Sequence, residues 1–192
     1  MKKGEWLLLV FNLAYIIGAA IYYISINDYE FLGYIAILVI LFLVVAGTLR
    51  RTKFGYGILW GLSIWGLLHM LGGGLIVKGA TLYSLQLIPI WVTENFYVLK
   101  MDQFIHAYLY FVVVFAIWHL LKGNLKKKHW LVFVALALIS VGIGALNEIV
   151  EFMMVLFLES SGVGGYYNNA WDLVFNTLGA LLATIIVYVR NK

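Results

Sequence analysis

Long apolar runs alternate with short polar breaks along the chain, and this pattern predicts its secondary structure. Each run is about twenty residues long, which lets an α-helix cross the roughly 30 Å hydrocarbon core of a bilayer. The pattern therefore predicts an all-α, polytopic integral membrane protein, a six-helix bundle that forms a single transmembrane domain over residues 1–192. The predicted helices cover residues 6–26, 31–49, 56–77, 101–121, 130–158 and 170–189.

The first apolar run has a competing interpretation. It follows Lys2 and Lys3 and contains small residues up to Ala20, which is also the pattern of a cleaved signal peptide. The run continues through Ile21 to Tyr23 and reaches spanning length, and this favours a helix that stays in the protein.

The composition supports a membrane protein and restricts its chemistry. Of 192 residues, 64% are hydrophobic and 11% are charged, and the mean hydropathy is +0.97, whereas soluble domains carry about 25% charged residues. The chain has no cysteine, which excludes disulfides, thiolate nucleophiles and cysteine metal ligands. Any metal ligand must therefore offer oxygen or an imidazole nitrogen.

The basic residues predict the orientation of the helices, because lysine and arginine near helix ends stay on the cytoplasmic side. With the N-terminus inside, only Lys78 and Lys100 fall outside, so both termini are predicted to be cytoplasmic in a cell membrane. This topology also explains the net charge of +4. We therefore expect membrane lipids rather than nucleic acid as partners, and the oligomeric state stays open. The basic residues placed inside are Lys2, Lys3, Arg50, Arg51, Lys53, Lys122, Lys126, Lys127, Lys128, Arg190 and Lys192.

Two connections on the predicted outer side have unusual compositions. The first, residues 78–100, is rich in apolar and aromatic residues and contains the only proline, Pro89. Such a segment is expected to lie in the membrane interface or to dip back into the bundle as a lid, with plain structural packing as the alternative. The second, residues 159–169, is rich in glycine and tyrosine, which suits a tight turn near a site.

Two carboxylates lie inside the fifth apolar run. Glu148 and Glu151 are three residues apart, so they project within about 60° of each other from one helix face. A charged side chain at mid-bilayer costs roughly 2.5–3.5 kcal/mol on insertion scales. An acidic pair in that position therefore predicts a polar cavity or a bound cation.

Other polar residues of the predicted spans lie at the same membrane depth, toward the outer side. Asp102 and His106 are four residues apart, as are Asp172 and Asn176, so each pair lies on one helix face. Taken singly, a histidine can be a hydrogen-bonded packing residue, and an aspartate at a helix start can be a cap. Their shared depth with His69 indicates a common site instead.

Imidazoles and carboxylates gathered in a low-dielectric bundle need a positive charge, and mixed nitrogen and oxygen ligation suits a divalent metal. Zinc is predicted first, and manganese or iron next. One of Glu148 and Glu151 would bind the metal, while the other would act as the catalytic base on a metal-bound water. The predicted metal ligands are His69, Asp102, His106, Glu148, Glu151 and Asp172, and Asn147 and Asn176 complete the polar site.

These residues resemble the motifs of the YjdF-like membrane proteins and, more distantly, of the VanZ-like family. The similar stretches are residues 102–106, 147–152 and 172–180, and His69 followed by Gly72-Gly73-Gly74 is similar to the YjdF-like pattern in particular. Where YjdF-like proteins have an acidic Gly-Asp step before the last helix, residues 164–169 of this chain contain no acid. VanZ-like proteins are associated with glycopeptide resistance, so the resemblance implies site residues rather than a particular reaction.

The predicted function is that of an integral membrane protein with an outward-facing intramembrane His/carboxylate site. The leading hypothesis is a metal-dependent hydrolase that acts on lipid or lipid-linked headgroups. The alternatives are a cation- or proton-coupled transporter or lipid carrier, and a non-catalytic membrane scaffold whose polar cluster fixes helix packing. The inner halves of the predicted helices carry few ionisable groups, and this disfavours transport.

Overall fold

The computed structural model describes residues 3–93, 97–125, 129–157 and 165–191 of the chain. Of the described residues, 84% are helical. Within them, six helices are long and apolar enough to cross a membrane, which confirms the predicted polytopic all-α membrane fold. They are α1 (Lys3–Ser25), α2 (Tyr29–Thr52), α3 (Tyr56–Gly74), α4 (Met101–Leu121), α5 (Trp130–Phe157) and α6 (Tyr166–Asn191).

The chain divides into two compact units, Met1–Leu85 and Gln86–Lys192. The first unit contains α1, α2 and α3, and the second contains α4, α5 and α6. The single domain over residues 1–192 and the cytoplasmic location of both termini stay predictions. Lys2, Lys192, the basic residues at 126–128 and residues 159–164 of the predicted glycine-rich loop lie outside the described residues.

The helices of the first unit pack around neutral polar side chains as well as apolar ones. α2 begins after Asp28, whose carboxylate accepts a hydrogen bond of 3.0 Å from the backbone N–H of Phe31 and so caps the helix. Between α1 and α3, the buried Asn12 side chain donates a hydrogen bond of 2.7 Å to the Ser63 hydroxyl. Because lipid tails offer no polar partners, a bond of this kind holds two membrane helices in register.

α3 ends at Gly74, about one turn before the end at Val77 that the apolar run predicts. The strand β1 (Ile76–Val77) pairs antiparallel with β2 (Ala80–Thr81). The two loop residues, Lys78 and Gly79, have positive φ angles of 52° and 84°, as the central residues of a type I′ turn require. Hydropathy misses this change, because both residues of β1 continue the apolar run of the helix.

The second unit begins with a β-hairpin. Its strands are β3 (Gln86–Val92) and β4 (Tyr97–Lys100), which pair antiparallel, and β4 continues directly into α4 at Met101. The connection over residues 78–100 therefore contains strands from two hairpins, where the sequence predicts an interfacial segment or a lid.

α4 and α6 lie very close to each other at Gly179. A Cβ atom at this position would overlap the backbone carbonyl of Ala107, so the absence of a side chain permits the approach. α6 begins at Tyr166, about one turn before the predicted start at residue 170. This extra turn carries Asn168 and Asn169, whose polar side chains lower the local hydropathy but join the site described below.

Candidate metal centre

Five ionisable side chains of the second unit gather near the end of the helices that adjoins β4. The first two turns of α4 supply two of them, the C-terminal half of α5 supplies two, and the second turn of α6 supplies one. All five are buried, with at most 8% of each residue exposed. This group, called the His106 cluster below, consists of Asp102, His106, Glu148, Glu151 and Asp172.

The imidazole of His106 lies between the carboxylates. Its Nε2 atom is 3.6 Å from Oδ1 of Asp102 and 3.8 Å from Oε1 of Glu151. Its Nδ1 atom is 3.3 Å from Oε1 of Glu148. Two sets of potential ligand atoms result, each with all members within 4.8 Å of one another: Asp102, His106 and Asp172, and His106, Glu148 and Glu151. His106 belongs to both sets and is therefore the centre of the arrangement.

Asn176 determines which ring nitrogen of neutral His106 carries the proton. The Asn176 amide nitrogen donates a hydrogen bond of 2.8 Å to Glu148, so its oxygen faces Nδ1 of His106, at 3.1 Å. Since an amide oxygen can only accept, Nδ1 is assigned as the donor, and Nε2 of the neutral ring then carries a lone pair. That lone pair faces the oxygens of Asp102 and Glu151. A cation between these atoms would turn three mutually repelling acceptors into ligands.

Asparagine side chains surround the carboxylates of the cluster. Each of the four carboxylates accepts at least one hydrogen bond from an asparagine amide, and these bonds orient the oxygens without neutralising their charge. The bonds are Asn168 to Asp172 at 2.5 Å and to Asp102 at 3.4 Å, Asn169 to Glu148 at 3.4 Å, Asn176 to Glu148 at 2.8 Å, and Asn147 to Glu151 at 2.8 Å.

With its four carboxylates ionised, the cluster would carry more negative charge than Lys100 and a protonated His106 offset among the described residues. Lys100, the last residue of β4, places Nζ 2.6 Å from Oδ2 of Asp102 and also contacts the side-chain oxygen of Asn168. Four carboxylates thus share one lysine. In addition, Oδ1 of the fully buried Asp172 has no hydrogen-bond partner in the described part of the chain. A buried, unpartnered carboxylate oxygen is unfavourable unless another group satisfies it.

The spacing of the cluster is compatible with a tetrahedral divalent ion. Ligand atoms about 2.1 Å from such an ion lie about 3.4 Å from one another. The separation of 3.6 Å between Nε2 of His106 and Oδ1 of Asp102 is close to this value. Nitrogen and oxygen donors together suit zinc, manganese or iron. Small side-chain movements would therefore allow the residues present to hold such an ion.

Most of the residues that the sequence predicts for the site lie together in the second unit. They are the five members of the His106 cluster with Asn147 and Asn176, each of which contacts a carboxylate of that cluster. His69 lies in the first unit, where its Nδ1 atom forms a hydrogen bond with the Tyr83 hydroxyl. Its ring stacks on Trp65 with centroids 5.5 Å apart. Ligation by His69 stays a prediction.

Three residues of the site do not figure in the sequence prediction. Lys100 enters the sequence argument only as a marker of topology, and Asn168 and Asn169 fall in the loop that the sequence predicts before α6. One signal was present, because Asn168 is four residues before Asp172 and lies on the same helix face. The predicted start of α6 at residue 170 left Asn168 outside the helix, so its spacing to Asp172 did not enter the sequence prediction.

Comparisons with known proteins give a family and no described activity. The family model described as "Predicted membrane protein (DUF2238)" matches residues 5–192 of the chain. No curated protein and no solved structure matches it.

Proposed function

The chain belongs to the family of predicted membrane proteins described as DUF2238, and we propose that its His106 cluster binds a divalent metal ion for hydrolysis of lipid or lipid-linked headgroups. One observation carries the proposal: Asp172, whose Oδ1 atom has no hydrogen-bond partner among the described residues, belongs to a ligand set with His106 and Asp102. A cation bound by these three residues satisfies that oxygen and offsets the excess negative charge.

The proposed ligands are Nε2 of His106, Oδ1 of Asp102 and Oδ1 of Asp172. One nitrogen and two oxygens make zinc the first candidate, followed by manganese and iron. Three protein ligands leave a coordination position for water or substrate, which is the arrangement of catalytic zinc sites.

Glu148 takes the role of an orienting residue in this proposal. Metal-binding histidines usually donate their second ring N–H to a carboxylate or carbonyl, which fixes the tautomer and strengthens ligation. The oxygen of Asn176 accepts from Nδ1 of His106, and Glu148 holds Asn176 through the 2.8 Å bond. The amide of Asn169 contacts the other oxygen of Glu148. Both oxygens of Glu148 are therefore engaged away from the proposed ion.

Glu151 takes the role of the catalytic base. Its Oε1 atom is 3.8 Å from Nε2 of His106, on the side of the ring that faces the proposed ion, and the Asn147 amide holds it at 2.8 Å. A bound divalent cation makes a coordinated water nucleophilic at neutral pH. Glu151 would accept a proton from the attacking water as the water oxygen bonds to the phosphorus of the substrate ester and the bond to the leaving oxygen breaks. Glu151 would then return the proton to the leaving alcohol.

The membrane setting supports a lipid or lipid-linked substrate. The cluster occupies the first turns of α4 and α6 and the outer part of α5, so it lies near the depth of headgroups rather than at the centre of the hydrocarbon. The distribution of lysine and arginine supports cytoplasmic termini and hence an outward-facing site. The YjdF-like resemblance agrees with a predicted membrane protein family, and the VanZ-like resemblance stays a prediction.

The test is elemental analysis of detergent-purified protein after incubation with zinc, manganese or iron and removal of free metal. We compare the wild type with Asp172→Asn and with the matched control Glu30→Gln, which changes a buried carboxylate of the first unit. The wild type and Glu30→Gln should each retain a near-stoichiometric metal that Asp172→Asn loses. If the folded wild type retains none of these metals, the proposal is wrong.

A second measurement separates binding from hydrolysis. Glu151→Gln should retain metal but lose the release of headgroup from phospholipid and polyprenyl-phosphate vesicles, because the ligands remain and the base is removed. Metal retention with no hydrolysis in the wild type would contradict the enzymatic half of the proposal. Proteoliposome flux that Glu151→Gln abolishes would favour the transport alternative.

A further inference from the structure

The β3–β4 hairpin exposes an unusual amount of apolar surface. Every residue of β3 is exposed, and the exposed fractions of Ile88, Ile90 and Trp91 are 57%, 67% and 56%. Leu87 and Val92 are exposed as well. Two-stranded ribbons of this kind are marginal in water, and an exposed apolar strand there is an aggregation site. The exposed apolar side chains of β3 are therefore expected to lie in an apolar environment.

Two contacts locate the hairpin at the level of the helix ends. β4 ends at Lys100, and the next residue, Met101, is the first residue of the spanning helix α4. On β3, the ring of Trp91 packs edge-on against Trp171 in the second turn of α6, with centroids 6.2 Å apart. Tryptophan is enriched where membrane helices meet the headgroup region. The hairpin is therefore continuous with the lipid-facing surface of α4 and α6.

We propose that the β3–β4 hairpin lies in the headgroup–acyl boundary of the bilayer, with Ile88, Ile90 and Trp91 inserted among the lipid chains. A hairpin cannot lie deeper, because the outer edges of its two strands have backbone N–H and C=O groups that need water or headgroups. The boundary provides both polar partners for those edges and acyl chains for the side chains.

A second protein strand suits this surface less well than lipid does. Pro89 lies within β3 and has no backbone N–H, and proline occurs in sheets mainly on edge strands that stay unpaired. Lys100 at the end of β4 is directed into the His106 cluster through Asp102. Lipid is therefore the occupant that the exposed side chains favour, and a second copy of the chain is an outcome that the test can detect.

The location of the hairpin has a consequence for access to the cluster. Lys100 joins the two, since it is the last residue of β4 and contacts Asp102 and Asn168. Headgroups at the depth of the hairpin are therefore at the depth of the cluster. The proposed insertion does not depend on a bound cation, so it can hold even if the metal proposal fails.

The test uses the natural absence of cysteine, which allows a single label to be attached at Ile90→Cys. The purified full chain is labelled with an environment-sensitive fluorophore and reconstituted into phosphatidylcholine/phosphatidylglycerol vesicles. Quenching by iodide in water is compared with quenching by lipids that carry a nitroxide near the top or the bottom of the acyl chain. Arg51→Cys, in the exposed last turn of α2, is the aqueous control, and Ile40→Cys, in the middle of α2, is the deep control.

We expect the label at Ile90 to be quenched most by the shallow nitroxide and to be largely protected from iodide, as for a group about 5–10 Å into the boundary. The result should be the same in chelator. Iodide quenching equal to that at Arg51 would overturn the proposal, as would quenching by the deep nitroxide equal to that at Ile40. Protection from iodide and from both nitroxides, with energy transfer between labelled copies, would show that a second chain covers the hairpin. Ile88→Cys serves as a second site if Ile90→Cys does not fold.

Discussion

The two units of the chain differ in how many ionisable groups they bury together, since the buried Glu30 of the first unit accepts a hydrogen bond from Tyr34 and the second unit gathers five ionisable side chains. In the first unit, the buried Asn12 donates to Ser63, and the hydroxyl of Tyr23 donates to the backbone carbonyl of Met70 at 2.7 Å. Both of these contacts join neutral groups. In the second unit, four carboxylates surround His106 and one oxygen of Asp172 has no partner among the described residues. Neutral pairs are sufficient to fix helix packing, whereas a group of like charges needs a counter-ion. This contrast is the reason that the proposed metal site is confined to the second unit.

Asp172→Asn should have the largest effect, because it removes a proposed metal ligand from the second unit. With metal at about 100 times its Kd, the wild type should gain about 2.7 kcal/mol of stability against unfolding, and the variant should lose that gain. In chelator the variant should be as stable as the wild type or more stable, because the substitution removes an unbalanced buried charge. Thermal unfolding in detergent, with metal and with chelator, measures the stability difference between the wild type and the variant in each condition. A wild type that is more stable than the variant by the same amount in chelator would argue for a purely structural Asp172.

Asn176→Ala should have the next largest effect. It removes the bonds that orient His106 and Glu148, and loss of such a supporting group typically weakens metal binding tenfold to a hundredfold, or about 1.4–2.7 kcal/mol. Metal titration followed by calorimetry gives the affinity. Thr177→Ala, next along α6, is the control, since its exposed hydroxyl bonds only to the carbonyl of Leu173 among the described contacts. Equal affinities in both variants would contradict the orienting role.

His69→Gln tests whether this histidine of the first unit serves helix packing or binds metal. The loss of the hydrogen bond to Tyr83 should reduce stability by about 1 kcal/mol, with the metal content unchanged. Elemental analysis and thermal unfolding of the same sample measure the two effects. Loss of metal from the folded variant would instead support the ligand role that the sequence pattern predicts for His69.

Ser63→Ala should have the smallest effect. Removing the hydroxyl that accepts from Asn12 should cost about 0.6 kcal/mol, the average for hydrogen bonds between membrane helices, and metal affinity should not change. A shift in unfolding temperature without a shift in affinity would confirm that the polar contacts of the first unit serve packing alone. A change in metal affinity would show that a polar contact of the first unit also affects metal binding.

The helices could be predicted because their signal is long and continuous. Each spanning helix is built on a long apolar run, and its ends fall within about one turn of the predicted ends. The hairpins could not be predicted, because β1 and β3 have the same apolar composition as the helices that flank them. Short apolar runs do not separate strand from helix by hydropathy. The turn residues Lys78 and Gly79 were the available local clue.

The site was predictable in its charged residues and not in its partners. An acid in an apolar helix is conspicuous, so Glu148 and Glu151 could be identified from sequence. The roles of the two glutamates depend on which asparagine each one meets, and those contacts form between helices far apart in the chain. Asn176 reaches Glu148 from α6, whereas Asn147 reaches Glu151 from within α5. Only the packed structure provides that distinction.

The close approach at Gly179 affects the route to the cluster. Ala107 follows His106, and Gly179 lies one turn beyond Asn176, so their backbones meet directly beneath the cluster, on the side away from β4. This contact forms a floor between α4 and α6. An ion could pass from the cluster between α4 and α6 only if the two helices separated at this contact. A variant that let ions pass between α4 and α6 would first have to lose the contact between Gly179 and Ala107.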